Sequence, residues 1–343
     1  MEWRPFLRFA GARLVAFVFL GIGVTLLAFI ITNLVPGDPM AAALSDRALE
    51  DEATVAAYRA RYGLDEPLPV QYLLYLSNLL QGDFGTSTFN GQPVRSELAR
   101  FIPATMELAG IAIVVSLLLG VTFGTVAALY RDRFIDQFLR VFSLAGVSMP
   151  VFWLALVAFY VLSFQLGWFP GTGRLNPGAP APPTVTGAFT IDAALAGQWD
   201  TFWDALSHAL LPAFVLAAYT VSLLTRFTRS AVLEVLGNDY VRTARAKGLP
   251  GLMIVLRHVL RAALAPIITV AGVMFGSILS GTVLIETIFA WPGLGQYAFR
   301  SATNLDLPSI MGVSLFVAVV YITINFVVDL LYGVIDPRVR LTS

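Results

Sequence analysis

The sequence contains no cysteine, one lysine and few charges of either sign. Without cysteine there is no disulfide framework, no thiolate metal site and no cysteine nucleophile. The single lysine, Lys247, is followed by Gly248. A phosphate-binding P-loop needs Gly-x-x-x-x-Gly-Lys-Ser/Thr, so an ATPase site of that kind is excluded. Charged residues are 13% of the 343, about half the roughly 25% of soluble domains. Lys plus Arg and Asp plus Glu are 22 each, so the basic excess of a nucleic-acid binder is missing. The two histidines, His208 and His258, stand far apart with no His-Glu-x-x-His, which disfavours zinc catalysis.

What is present is apolar. Hydrophobic residues reach 57% and the mean hydropathy is +0.76. A chain this apolar is not disordered, and it lacks the polar surface to cover a soluble fold. The expectation is an all-α polytopic membrane protein. Six stretches of about 20 residues or more carry no Asp, Glu, Lys or Arg: 14–34, 108–130, 141–170, 205–225, 262–285 and 307–328. The first is too long for a removed signal peptide and has no small-residue cleavage site, so it reads as a retained span. The third is long enough to tilt or to end in a turn at Trp168-Phe169-Pro170-Gly171.

Alternate connections carry 15 and 7 cations. The positive-inside rule then places both termini in the cytoplasm. This divides the chain into 1–34 (cytoplasmic N-terminus and first span), 35–104 (an acidic extracytoplasmic segment) and 105–343 (five further spans). Within 35–104, Val70, Leu73, Leu74, Leu76, Leu79 and Leu80 have helical spacing but are too few to span. Residues 171–200, rich in Gly, Pro, Ala and Thr, read as a loop with little regular structure.

The spans hold no Asp, Glu, Lys or Arg. Glu107, His208, Glu286 and Asp329 lie at their ends, as helix-end residues or, less simply, as ion-coupling groups. A lone ion-coupled transporter is therefore disfavoured. Ser148 and Ser277 follow small residues and suit helix packing better than an intramembrane hydrolase. Gly272, Gly276, Ser277, Ser280 and Gly281 fit either close packing or sliding of the fifth span.

The loop 226–261 carries seven cations and two acids. Inside it, Asn238 or Asp239 can cap a short Ala- and Arg-rich helix. Gly248 stops that helix and Pro250 opens the next. The small residues Thr243, Ala244 and Ala246 would let a partner approach closely. A cationic inner loop can mean no more than positive-inside topology; the bounded helix favours docking of a soluble partner.

At this point the chain resembles the permeases of ABC importers, in the dipeptide and oligopeptide branch. The 238–251 stretch looks like their coupling motif. Six further stretches agree in order: Leu34-Val35-Pro36-Gly37-Asp38-Pro39, residues 62–72, Gly82-Asp83-Phe84-Gly85, Pro103-Ala104-Thr105-Met106-Glu107-Leu108, residues 148–154, and residues 286–295. Asp336-Pro337-Arg338 completes the set. The general motif starts Glu-Ala-Ala, whereas here Arg242-Thr243-Ala244 stands with Gly248 in register. A conserved acidic contact is therefore not carried over to Arg242.

The resemblance implies a type I ABC importer permease fold with six transmembrane helices and an extracytoplasmic helical insertion after the first. The large first outer segment resembles the B-type subunit. The implied partners are a C-type permease, two ATP-binding subunits, a substrate-binding protein and membrane lipid, in a bacterial cytoplasmic membrane. ATP and magnesium would sit on the ATP-binding subunits, and this chain would carry no cofactor, metal or catalytic residue. The implied cargo is di- or oligopeptides, with nickel chelates, glutathione or oligosaccharides as alternatives. The coupling residues implied are Asp239, Tyr240, Arg242, Thr243, Ala244, Arg245, Ala246, Lys247 and Gly248. Glu286, Trp291, Pro292, Gly293, Leu294 and Gly295 would form an outer turn dipping toward the pore mouth, where a cysteine placed at Leu294 should react differently with and without ATP.

Overall fold

The computed structural model describes residues 3–34 and 50–335. The motifs 35–39 and 336–338 lie outside them. Among the described residues the chain is helical, with one isolated bridge between Thr86 and Pro93. In chain order the helices are α1 (Trp3–Leu34), α2 (Glu52–Tyr62), α3 (Leu68–Leu80), α4 (Val94–Leu129), α5 (Phe134–Ser148) and α6 (Val151–Ala158). There follow α7 (Phe189–Leu195), α8 (Trp199–Leu236), α9 (Asp239–Ala246), α10 (Gly251–Met253), α11 (Leu260–Ile288), α12 (Leu294–Thr303) and α13 (Leu307–Ile335). Wider, π-helical turns continue α6 to Gln165 and join α10 to α11.

Five helical stretches are each long and apolar enough to cross a membrane: α1, α4, α8, α10 running into α11, and α13. The expected single stretch 141–170 is not one straight helix. It is a pair of helices, α5 and α6, bent by 106°. The physical cause is Pro150, which lacks an N–H and disfavours helix at the residue before it. Met149 accordingly turns extended, at φ −82° and ψ 128°. The chain that carries the pair still joins the two ends of the bundle. Asp136 near its start pairs with Arg229 at one end of the bundle. Beyond its finish, the Gly173 N–H reaches the Phe289 carbonyl at the other.

Helix α8 is the centre of the bundle. Ala209, Ala213, Ala217 and Leu224 are wholly buried along it. Small residues on α4 let it come close: a Cβ on Gly120 would lie 2.6 Å from Leu224, and one on Gly124 would lie 2.5 Å from Thr228. This Gly-x-x-x-Gly pair is a spanning-helix packing motif. Gly272 and Gly276 repeat it on α11, against Val328 and Tyr321 of α13. In this conformation the fifth-span glycines are packing residues. Helix α1 is peripheral. It meets α13 through Phe17 on Phe326 and the Arg13–Asp329 pair at 3.2 Å.

Two boundaries shift from the sequence reading. Helix α4 begins at Val94, so 94–104 is the first part of a long helix. Helix α8 runs on to Leu236, past the expected loop start at 226. Polar residues do not end a helix that has packing partners; Val232 and Val235 remain buried beyond Arg226 and Arg229. Residues 171–200 are more ordered than their composition suggests, because they include α7 and a closed polar network. Helix α3 packs on α1 through Tyr72, which hydrogen-bonds Thr25 at 3.0 Å and whose ring meets Phe29, while Val70, Leu73 and Leu80 of its apolar spacing are exposed.

Candidate functional site

Two regions bear on function, one at each end of the bundle. At the Arg229 end lies α9. Asn238 is its extended first cap, without a side-chain bond, and Asp239 is the first helical residue. The helix ends in a Schellman motif. The Gly248 N–H reaches the Arg245 carbonyl at 2.9 Å and the Leu249 N–H reaches Ala244 at 3.3 Å. Gly248 has φ +74°, a left-handed conformation that suits glycine.

Two residues fasten α9 to the bundle. Val241 is wholly buried and Ala244 nearly so. They join Val232, Val235, Ile254 and Val259 in one apolar cluster, with Leu249 against it. The other side faces outward: Asp239, Tyr240, Arg242, Thr243, Arg245, Ala246, Lys247 and Gly248 are exposed. This corrects one expectation. Ala244, expected on the side a partner would approach, packs inward.

At the opposite end the 286–295 segment folds around Glu286. Helix α11 ends in a second Schellman motif, with the Trp291 N–H on the Glu286 carbonyl at 2.8 Å. Ala290 takes the left-handed position at φ 49°. The wholly buried Glu286 carboxylate then turns to the start of α12. It accepts the Thr105 hydroxyl at 2.6 Å and the Gln296 N–H at 3.0 Å. Thr105 in turn accepts the Leu294 N–H at 2.7 Å. First-turn N–H groups of a helix have no partner within it and favour an anion, so Glu286 and Thr105 together cap α12. Trp291 donates to the Ala104 carbonyl at 2.9 Å. A Cβ on Gly293 would lie 2.5 Å from the Thr105 hydroxyl, and one on Gly295 2.5 Å from the Val283 Cα. The glycines are spacing residues for this closure. Of the six candidate pore-mouth residues, only Pro292 is exposed. Leu294 is 2% exposed and packs inward with Val94, Leu98, Tyr297 and Val313.

Beside this turn Glu107 and Arg174 form a buried ion pair. Glu107 also accepts the Thr190 N–H and hydroxyl, both at 2.7 Å. The Arg174 guanidinium lies 3.6 Å from the Phe189 ring centroid and donates to the Gly187 carbonyl at 3.0 Å. Asp192 gathers the N–H groups of Val185, Thr186 and Gly187. Burial pushes the Asp192 carboxyl up, but these hydrogen bonds outweigh it and hold the group below the usual carboxylate range. Asp306, also buried, receives Ser87, Thr88 and Ser309 and ties the 83–93 segment to α13.

Glu107, His208, Glu286 and Asp329 are therefore all engaged. Glu107 pairs with Arg174, His208 with Asp204 at 3.3 Å, and Asp329 with Arg13. Glu286 caps α12. Sequence reasoning missed Arg174, Asp192, Thr105 and Asp306. Thr105 sits inside the Pro103–Leu108 motif, which is a signal; Arg174 lies in a segment with no pattern to read.

Residues 120–341 match the family described as "Binding-protein-dependent transport system inner membrane component". Residues 6–109 match its N-terminal companion family. The chain is 45% identical over 317 residues to the probable D,D-dipeptide transport system permease protein of Escherichia coli K12, covering 92% of this chain and 93% of the relative. It is 42% identical to the di/tripeptide transport system permease of Pseudomonas aeruginosa, covering 97% and 99%. It is 38% identical to the oligopeptide transport system permease of Bacillus subtilis, covering 93% and 95%. Among solved structures, a chain of the MetNI methionine ABC transporter in an inward-facing form matches with a TM-score of 0.52 at 14% identity, covering 70% of this chain and 96% of that one. That likeness shows the type I importer permease fold.

Proposed function

The chain belongs to the family of binding-protein-dependent transport system inner membrane components, and from that membership we propose that it is the B-type, pore-forming permease subunit of an ATP-driven importer of di- and oligopeptides. The names of relatives aligned over nearly the whole chain support peptide as the cargo. Both termini and α9 face the cytoplasm in this reading, and the Glu286 turn faces outward. The partners are a C-type permease, two ATP-binding subunits and a substrate-binding protein. The only lysine stands in no P-loop, so hydrolysis belongs to the ATP-binding subunits.

The observation that carries the reading is α9: a basic helix fastened by Val241 and Ala244 and exposed on its other side. Its apolar cluster includes residues of α8 and of the turns leading into α11. A push on α9 is thereby delivered to two spans at once. Helix α11 carries that motion to Glu286 and the turn at the far end. Rigid-body motion of packed helices in this way gives alternating access.

The cysteine-free sequence permits a direct test. Thr243→Cys should crosslink to a cysteine in the ATP-binding subunit of the assembled importer, and Ala244→Cys should not. Absence of any Thr243 crosslink would remove α9 as the docking element.

A further inference from the structure

A single groove at the basic end of the bundle is shared by α4 and the start of α11. It encloses about 600 Å³. Its charged lining is Arg257 and Arg261. Arg257 lies in the wide turns that lead into α11, and Arg261 in the first turn of α11 itself. Every other lining residue is apolar, Val121 of α4 and Leu264 and Ile267 of α11 among them. One cavity therefore holds two guanidinium groups and an apolar wall.

The charge of the groove is not balanced. Both arginines are exposed, and among the described residues neither has an ion-pair partner. The acids of this end are placed elsewhere. Asp239 lies 3.5 Å from Arg242, Asp132 lies 3.2 Å from Arg131, and Asp136 holds Arg229 at 2.7 Å. Glu234 is exposed and pairs with neither groove arginine. Exposed arginines alone need only water. These two stand at the mouth of an apolar groove, and that combination suits an amphiphile with an anionic head. Arginine forks match the oxygens of a phosphate, and basic pockets between spanning helices at a membrane face suit phospholipid headgroups.

The depth of the groove agrees. The uncharged run 262–285 begins directly after Arg261, so this residue marks the edge of the crossing. Ile267 lies about 9 Å beyond it at ~1.5 Å per residue. On α4, Val121 lies about 12 Å inward of the helix end at Leu129. Both depths fit within the ~15 Å of one leaflet of a ~30 Å hydrocarbon core. Leu256 and Leu264 are 57% and 40% exposed, so the apolar wall is open to a lipid chain. A free phosphate would meet the arginines and leave that wall uncovered.

The geometry points to a bound anionic phospholipid, its phosphodiester at Arg257 and Arg261 and one acyl chain lying along Leu264 toward Val121. This rests on α4 and α11 crossing a membrane and is independent of the transported cargo. The test uses the assembled importer in nanodiscs containing phosphatidylglycerol with a photoactivatable acyl chain. Both leaflets carry the probe, so labelling does not depend on which end is cytoplasmic or on any uptake activity. Label should appear on the peptides carrying Val121 and Leu264. Unlabelled phosphatidylglycerol should compete severalfold better than phosphatidylcholine, and inorganic phosphate should not compete. The double variant Arg257→Gln/Arg261→Gln should lose most of the label, and Arg257→Lys/Arg261→Lys should regain it. Leu264→Trp, which fills the apolar part and keeps both arginines, should also lose label. Equal competition by the two lipids, displacement by inorganic phosphate, full label in the Gln or Trp variant, or a groove covered by the second permease and therefore unlabelled would each overturn the proposal.

Discussion

The Glu107 carboxylate and the Arg174 guanidinium are held against each other out of water, 67 residues apart in the chain. Removing one member strands the other charge, which typically costs about 3–5 kcal/mol. Replacing both with apolar residues of similar size costs far less. Glu107→Met should therefore lower the thermal midpoint of the purified complex markedly, and Glu107→Met/Arg174→Met should restore most of it. Equal loss in the single and double variants would mean that the pair does not act as a unit. The Glu286 turn makes a second prediction. In Gly295→Ala the new methyl would meet the Val283 backbone, which cannot swing aside as a side chain can. Overpacking of this kind costs about 1–3 kcal/mol. The same unfolding measurement should show that loss, and labelling of Pro292→Cys should show whether the turn has opened. The ion pair could not be read from spacing, because its partners stand 67 residues apart, and the Gly295–Val283 approach depends on how the turn closes. The motifs marked where the contacts would be but not what they touch.

At the scale of elements, α9 is readable in the sequence because its determinants are local. Gly248 terminates it and Pro250 caps the next helix. The side that packs is not readable, since eight residues give two short turns and burial is decided by α8 and the start of α11. The bend between α5 and α6 lies in plain view at Met149-Pro150, yet the uncharged run 141–170 conceals it. Charge counting finds membrane crossings, not helix breaks. The 171–200 segment, anchored on Asp192, carries a pH prediction. Its folded pKa is depressed, so its stabilisation is complete above the unfolded value of about 3.9. It is lost as pH falls through the folded value. Proteolysis of this segment should stay slow at neutral pH and accelerate below about pH 4. Asp192→Asn should make it faster at neutral pH and nearly insensitive to acid. An unchanged acid response in that variant would assign the sensitivity to another group.

Across the whole molecule, the two ends do different work. The Glu286 end is closed by buried polar contacts that join α4, α11 and α12. The Arg229 end is open and basic, with one helix fastened by two small apolar residues and free on its other side. The single lysine and the zero net charge belong to this arrangement: the cations gather at one end, and no residue is available to bind ATP by a P-loop. In the proposed importer energy enters from the ATP-binding subunits, with α9 as the point of entry. The most direct measurement is uptake of a labelled dipeptide by proteoliposomes holding this chain with its C-type partner, both ATP-binding subunits and the binding protein. Uptake should require ATP on the α9 side, and Arg242→Glu/Arg245→Glu should abolish it while the chain remains inserted and folded. Uptake driven by an ion gradient without ATP, or undiminished uptake by that variant, would contradict the account.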